Sequence, residues 1–114
     1  RKDVLHPVKR IDEMTMAEIM EHVKLFAGKK DAADGYLEMM LLWYRDVLLY
    51  KATKDINGLM FRDEAEAIAL QAAKRSFENL QGITEALEQV KQRMKSNVNF
   101  ENALELLLLY MKEV

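Results

Sequence analysis

The stretch Tyr36–Tyr50, YLEMMLLWYRDVLLY, decides the fold class of this chain. Only Glu38, Arg45 and Asp46 interrupt an otherwise apolar or aromatic run. The stretch contains no Gly or Pro, and Val47 is its one β-branched residue, so the local preference is for helix. A helix with apolar side chains on nearly every side lies among other helices rather than on a surface. We therefore predict a central helix with the other helices packed around it.

The composition supports an all-α fold. The chain has 114 residues, of which 50% are hydrophobic and 32% are charged, with one Pro and four Gly. Little turn material and few β-branched residues favour long helices over strands. We predict a compact bundle of five or six helices, with residues 1–114 as a single domain long enough to bury a core. Because the first residue is Arg1 rather than Met, we expect a C-terminal fragment of a longer protein.

Several classes of function lack support in the sequence. The net charge of −2 provides no basic footprint for nucleic acid, and the absence of Cys removes thiolate chemistry and Cys-based metal sites. His6 and His22 do not form a metal-binding pair, and no phosphate-binding or dinucleotide motif is present. The longest unbroken apolar run, residues 39–44, is far shorter than the roughly 20 residues of a membrane span. We expect no catalytic residue, cofactor or metal site.

The N-terminal third predicts two helices. Arg1–Ile11 has a helical apolar spacing, with Pro7 either kinking this helix or lying near its first turn. Thr15 and Glu18 have the spacing of a capping box, which predicts the start of the second helix. Gly28 follows the last apolar position of that helix and is expected to be its left-handed C-cap.

The central helix is expected to begin at a cap formed by Asp31 or Asp34 and to end near Thr53. Asn57-Gly58 predicts a loop rather than a hairpin, because its apolar flanks are too short for strands. We expect those flanking apolar residues to pack back onto the core. Asp63 is the predicted cap of the next helix.

Ser76 is the predicted N-cap of the fifth helix, whose 3-4-3-4 apolar spacing predicts a seam packed within the domain. Asn97 is expected to be a left-handed C-cap and Asn99 to cap the last helix, which extends from Phe100 to about Lys112. The seam residues are Leu80, Ile83, Leu87, Val90 and Met94.

Three sets of residues allow both a structural and a binding interpretation. The eight Met residues either fill core gaps, which we favour, or form an adaptable binding surface. Trp43 is either a core residue or an interface anchor. Arg45 and Asp46 point about 100° apart on a helix and need not pair with each other. Either Arg45 caps a neighbouring helix while Asp46 holds a loop or a Lys, or one of them crosses a subunit boundary.

Two motifs resemble a known family. They are L-L-W-Y-R-D-V-L-L-Y-K, which begins at Leu41, and N-V-N-F-E-N-A-L-E-L-L-L-L-Y-M, which begins at Asn97. Together they resemble the C-terminal domain of the bacterial DNA polymerase III delta-prime subunit, over about Leu37 to Met111. Pro7 is a departure from the family pattern. The positions that carry the resemblance are Trp43, Arg45, Asp46, Leu48, Leu49, Asn97, Asn99, Ala103, Leu104 and Leu106 to Leu109.

The resemblance implies an all-α collar that joins delta-prime, gamma or tau, and delta into the cytoplasmic clamp loader of DNA replication. ATP binding would belong to AAA+ modules on the N-terminal side, so this domain would be non-catalytic and would not bind nucleic acid directly. It could self-associate weakly. The alternatives are a gamma or tau collar, an unrelated helical adaptor that binds a partner helix in a Met-rich groove and, third, an enzyme. The structural or interface candidates are Trp43, Arg45, Asp46, Asn97, Asn99, Leu108 and Tyr110.

Overall fold

The computed structural model describes residues 7–26, 28–96 and 99–114. The described residues form helices and turns and contain no strand, which confirms the all-α prediction. Two 3-10 turns, Ile56–Gly58 and Arg62–Glu64, connect α3 to α4. The helices are α1, whose described part is residues 7–10, α2 (Met16–Lys24), α3 (Lys30–Thr53), α4 (Ala65–Lys74), α5 (Phe77–Arg93) and α6 (Phe100–Glu113).

Helix α3 is the centre of the bundle, as predicted. It packs against α4 and α5, while α5 also packs against α6, and α6 packs against α2. It is the longest helix, with 24 residues, and it ends at Thr53 as predicted. The side chains that it buries completely are Ala33, Leu37, Met40, Trp43, Tyr44, Asp46 and Val47.

Three predicted helix starts are confirmed by their hydrogen bonds. The backbone N–H of Glu18 donates to Thr15 Oγ1 at 3.1 Å, and the backbone N–H of Thr15 donates to Glu18 Oε1 at 2.8 Å, which completes the capping box of α2. Ser76 caps α5 by accepting from the backbone N–H of Asn79. Asn99 caps α6 in the same way, with Asn102 as the donor. These side chains satisfy N–H groups that the helix itself leaves unpaired.

Two predicted caps are wrong. The N-cap residue of α3 is Lys29, with no side-chain cap bond, and both predicted Asp residues lie inside the helix. Asp31 stays in the first turn, where its charge is favourable to the helix dipole without a hydrogen bond. Asp63 lies inside a 3-10 turn that leads directly into α4, so the backbone N–H of Glu64 bonds to the carbonyl of Phe61 rather than to a side-chain cap.

The predicted left-handed Gly28 is present, with φ of 71°, but it is not the C-cap of α2. That helix ends at Lys24, and its C-cap residue, Leu25, is right-handed. Gly28 instead lies beyond the extra turn formed by residues 25 and 26, before α3 begins. Pro7 is buried and is the first described helical residue. Residues 1–6 of the predicted first helix lie outside the described residues. The same is true of the predicted C-cap, Asn97.

The Asn57-Gly58 pair forms a loop and not a hairpin, as predicted. Its backbone makes a 3-10 turn, in which the N–H of Asn57 donates to Asp55 Oδ1 at 2.9 Å. Of the flanking apolar residues, Leu59 and Phe61 are buried as predicted, whereas Ile56 and Met60 are exposed. The side chains alternate between core and solvent because the backbone is extended after the turn.

The seam between α5 and α6 is apolar. Helices α5 and α6 also pack against α3 and α2, respectively, and their buried residues are all apolar. They are Leu80, Ile83, Leu87 and Val90 of α5, with Met94 half-buried, and Leu104, Leu107, Leu108 and Met111 of α6. Gly82 allows a close approach of the two helices, because a Cβ atom added there would clash with the hydroxyl oxygen of Tyr110.

Candidate interaction surfaces

The candidate residues from the sequence occupy different environments. Trp43, Asp46 and Leu108 are fully buried within the chain, whereas Arg45 and Tyr110 are exposed. Asn99 is exposed, and its side chain is engaged in the N-cap of α6. Asn97 lies outside the described residues. The candidates therefore do not form one site: some hold the fold together, and Arg45 and Tyr110 belong to the surface.

Trp43 connects the central helix to α4 and to the N-terminal segment. Its indole Nε1 donates to Gln71 Oε1 at 3.5 Å, and the Gln71 amide donates in turn to the backbone carbonyl of Val8. Its ring also faces Phe61, with 6.0 Å between the ring centroids. Trp43 is therefore a core residue with a polar contact, which is the usual way to bury an indole.

Asp46 holds the loop between α3 and α4. Its carboxylate is fully buried and accepts hydrogen bonds from the backbone N–H groups of Met60 at 3.1 Å and Phe61 at 2.8 Å. The third donor is Arg45 Nη1 at 2.9 Å. These bonds compensate the cost of removing the carboxylate from water. They also give hydrogen-bond partners to two backbone N–H groups that lie outside any helix. Asp46 thus has the loop-holding role that the sequence left open.

Arg45 pairs with its sequence neighbour instead of capping another helix. About half of its side chain, 51%, is exposed, whereas the Asp46 side chain is 0% exposed. The long arginine side chain spans the angular separation between adjacent helix positions, so the two groups meet at the edge of the core. The guanidinium group is therefore oriented by a buried carboxylate while it stays accessible to solvent.

Arg75 is a buried residue that sequence reasoning missed. Its Nη2 donates to Asp12 Oδ1 at 2.6 Å and to the carbonyl of Met111 at 2.8 Å, and its Nη1 donates to Asp12 Oδ2 at 3.3 Å. Lys112 Nζ donates to the backbone carbonyl of Asp12 at 3.1 Å. This cluster joins the N-terminal segment, the end of α4 and the end of α6. Asp12 lies 63 positions before Arg75, so no local pattern could reveal the pair.

The charge state of Asp12 is set by its cationic neighbours. Partial burial by itself would raise its pKa, but the hydrogen bond and the charge of Arg75 act in the opposite direction. Lys74, with its Nζ 3.2 Å from Asp12 Oδ1, adds to that effect. The net result is a pKa below the ordinary value of an aspartate, so the carboxylate is ionised whenever the fold is intact near neutral pH.

Tyr36 and Tyr44 are buried phenols on the central helix. Burial raises the pKa of both hydroxyls above the ordinary value, so both groups are neutral. For Tyr44, the charge of Arg75 opposes this effect and the charge of Asp12 adds to it. The hydroxyl of Tyr36 lies 2.9 Å from His22 Nε2, and the Tyr36 ring stacks on Phe26, which joins α2 to α3.

One surface groove lies between α3 and α5. It has a volume of about 470 Å³, and we call it the Arg45 groove. Its leucines are half-buried, so the groove exposes part of each apolar side chain around one charged group. Its lining residues are Leu41, Arg45, Leu48, Leu49 and Thr84.

A second set of exposed apolar side chains lies on α4 and α6. Leu70 and Leu106 are 69% and 68% exposed, the highest values among the large hydrophobic residues in the described part of the chain. Leu106 borders a shallow groove of about 150 Å³ between α5 and α6, together with Tyr110. Leu70 borders a groove of about 460 Å³ between α4 and the N-terminal segment. Single exposed leucines are common in proteins, but leucines that border grooves are typical of docking surfaces.

The described residues contain no group of three or more His, Asp or Glu side chains placed to hold a metal ion. In the same part of the chain, no helix combines the length and the apolar character that crossing a membrane requires. The geometry that is present consists of packing contacts, buried hydrogen-bond clusters and apolar grooves.

Comparisons with known proteins identify the family. Neither the curated proteins nor the solved structures contain a match to this chain. One protein-family model does match, and it is described as DNA polymerase III, delta subunit, C terminal. The match extends over residues 1–113 and so includes every element of the bundle described above. The chain therefore belongs to the family formed by the C-terminal domains of DNA polymerase III delta subunits.

Proposed function

We propose that this chain is the collar of the clamp loader, a non-catalytic domain that holds one subunit in the loader ring during DNA replication. The observation that carries the proposal is the family match over residues 1–113. A finer assignment to delta-prime is supported by the resemblance of the two motifs around Trp43 and Asn99, whereas the matched family is described by the name delta. A gamma or tau collar is the alternative within the same complex.

The structure provides surfaces suited to such a role. Leu70 and Leu106 are exposed beside grooves, and the Arg45 groove adds a third apolar surface with a central charge. The proposed partners are the gamma or tau subunits and delta, in the cytoplasm. ATP hydrolysis and contact with DNA would belong to other modules of the loader.

The proposal is tested by mixing the purified chain with the gamma or tau collar domains of its own organism and measuring co-elution by size-exclusion chromatography. We expect a complex at tens of micromolar or below. Glu88→Lys and Glu105→Lys should weaken the complex without lowering the melting temperature to a similar extent, because both positions lie on the last two long helices, with Glu88 exposed and Glu105 half-buried. Glu21→Lys on α2, at an exposed residue away from these grooves, is the matched charge-reversal control. A folded parent chain that binds none of these collars would overturn the proposal and favour a helical adaptor.

A further inference from the structure

We infer that the Arg45 groove binds an amphipathic helix from a neighbouring member of the clamp loader, and that a carboxylate among the leucines of this helix pairs with Arg45. The inference rests on the proposed function, because it assigns one of the contacts that a collar must make with its neighbours in the ring. It commits to a helix of another loader protein as the occupant.

The chemistry of the groove defines its partner. Three half-buried leucines, Leu41, Leu48 and Leu49, provide apolar contact, and Arg45 is the one charged residue among those that line the groove. A volume of about 470 Å³ accommodates several side chains of a docked helix. Arginine is enriched at the energetic centres of protein interfaces, where docking removes water from a charge–charge contact.

The guanidinium group of Arg45 is held in place and can bind a second carboxylate. Asp46 is buried and held by the N–H groups of Met60 and Phe61, so it binds Arg45 Nη1 at 2.9 Å from a fixed place. A guanidinium group has five N–H donors, and this bond uses one of them. The side chain is 51% exposed, so the remaining donors can reach an incoming carboxylate. A side chain that is already oriented loses less entropy on binding.

The surface outside the groove carries charges of both signs. Glu85 and Glu88 are exposed on α5 next to Thr84, and Glu88 lines an adjacent groove together with Lys91 and Lys95. Arg45, rather than the mixed charges outside the groove, therefore defines the charge that the partner helix brings to the centre of the contact.

The test measures the affinity of the full 114-residue chain for the purified gamma or tau subunits together with delta of its own organism. Arg45→Gln removes the charge, and we expect at least tenfold weaker binding. The side chains introduced by Thr84→Glu and Thr84→Gln have nearly the same shape and differ in charge. Because a glutamate in the groove would repel the partner's carboxylate, Thr84→Glu should bind at least tenfold more weakly than Thr84→Gln. Thr84→Lys should bind at least as well as Thr84→Gln. Arg62→Gln, at an exposed arginine outside the groove, is the control and should bind like the parent.

The outcomes separate this inference from the proposed function. If the parent binds and both Arg45→Gln and Thr84→Glu bind equally well, the groove is not the contact, and the collar proposal stands. If Thr84→Lys binds more weakly than Thr84→Glu, the partner brings a cation and the inference is wrong. If the parent forms dimers without partner subunits and Arg45→Gln abolishes them, the occupant is a second copy. If the parent binds no loader subunit, the collar proposal fails and this inference fails with it. The Thr84 pair stays informative even if Arg45→Gln destabilises the fold through Asp46.

Discussion

The two sides of the central helix are held by different interactions. On one side, the N-terminal segment, residues 59–64 and α4 are attached through buried polar side chains, namely Asp46, Gln71 and Arg75. On the other side, α5 and α6 bury an apolar seam that begins at Leu80 and continues to Met111, where the bond from Arg75 to the Met111 carbonyl links it to the polar cluster. We call these the loop side and the seam side.

The difference follows from the backbone. A helix satisfies most of its own N–H and C=O groups, so α5 and α6 pack mainly through apolar contacts, with a bond from Asn79 Nδ2 to the Val114 carbonyl at 3.5 Å near one end. The loop side contains non-helical backbone, including the N–H groups of Met60 and Phe61, which need partners when they are close to the core. Buried polar residues therefore concentrate where the chain is irregular. Substitutions on the loop side should expose unpaired polar groups, and those on the seam side should change packing.

Trp43→Ala should have the largest effect, because Trp43 contributes both to the core and to the hydrogen-bond chain of the loop side. Removal of a buried large aromatic usually destabilises by about 3–5 kcal/mol, which chemical denaturation would measure. Trp43→Phe keeps part of the volume and removes the indole N–H, so it should cost less. A variant that melts like the parent but loses a partner would make Trp43 an interface residue.

Asp12→Asn tests the ionic attachment of the loop side. It leaves the buried Arg75 without its full charge partner, and we expect a loss of about 2 kcal/mol, the usual contribution of a hydrogen bond to a charged group. Because the pKa of Asp12 is lowered by folding, its contribution is present above about pH 4, the ordinary range of an aspartate, and is lost as the pH falls through the lower folded value. The stability difference between parent and variant should therefore shrink in acid. Asp63→Asn, at an exposed residue, is the control, and an equal loss there would contradict the prediction.

Asp46→Asn tests whether the loop depends on a buried carboxylate. The amide can accept at one oxygen only, so it cannot reproduce the hydrogen bonds that both carboxylate oxygens now accept, and we expect a loss of about 1–2 kcal/mol. Hydrogen exchange should accelerate at the amides of Met60 and Phe61. Asp55→Asn changes an exposed residue that binds the N–H of Asn57, and it should have a smaller effect. Unchanged exchange at Met60 and Phe61 would show that the loop is held by apolar packing.

Gly82→Ala tests the seam side and should have the smallest net effect. Ala is favoured over Gly in a helix by about 1 kcal/mol, but its Cβ would displace the hydroxyl of Tyr110, which lies at the end of a partly exposed side chain. The two effects should nearly cancel in the parent. In a Tyr110→Ala background the same change should stabilise by about 1 kcal/mol, as measured by a double-mutant cycle. Equal effects in both backgrounds would mean that Gly82 does not mediate the close approach.

Sequence patterns determined which segments form helices and which faces they bury. The run from Tyr36 to Tyr50 predicted the central helix, and the 3-4-3-4 spacing of α5 predicted its buried face, because both signals are local and periodic. The caps at Thr15, Ser76 and Asn99 were also predictable, since each lies within three residues of its bonding partner. The caps assigned to α3 and α4 failed because an acidic residue near a helix start can favour the dipole without capping.

Tertiary structure alone decided how the polar residues are used. The pairing of Asp12 with Arg75, the bond from Gln71 to Val8 and the attachment of the loop to Asp46 join positions that are 14 to 63 residues apart. It also decided that Arg45 faces a groove while Asp46 faces the core. Periodicity describes one helix at a time, whereas the partner of a buried polar group depends on which helices pack together. Local preference therefore determined the helices, and the assembled bundle determined which charges are buried and which remain available to a partner.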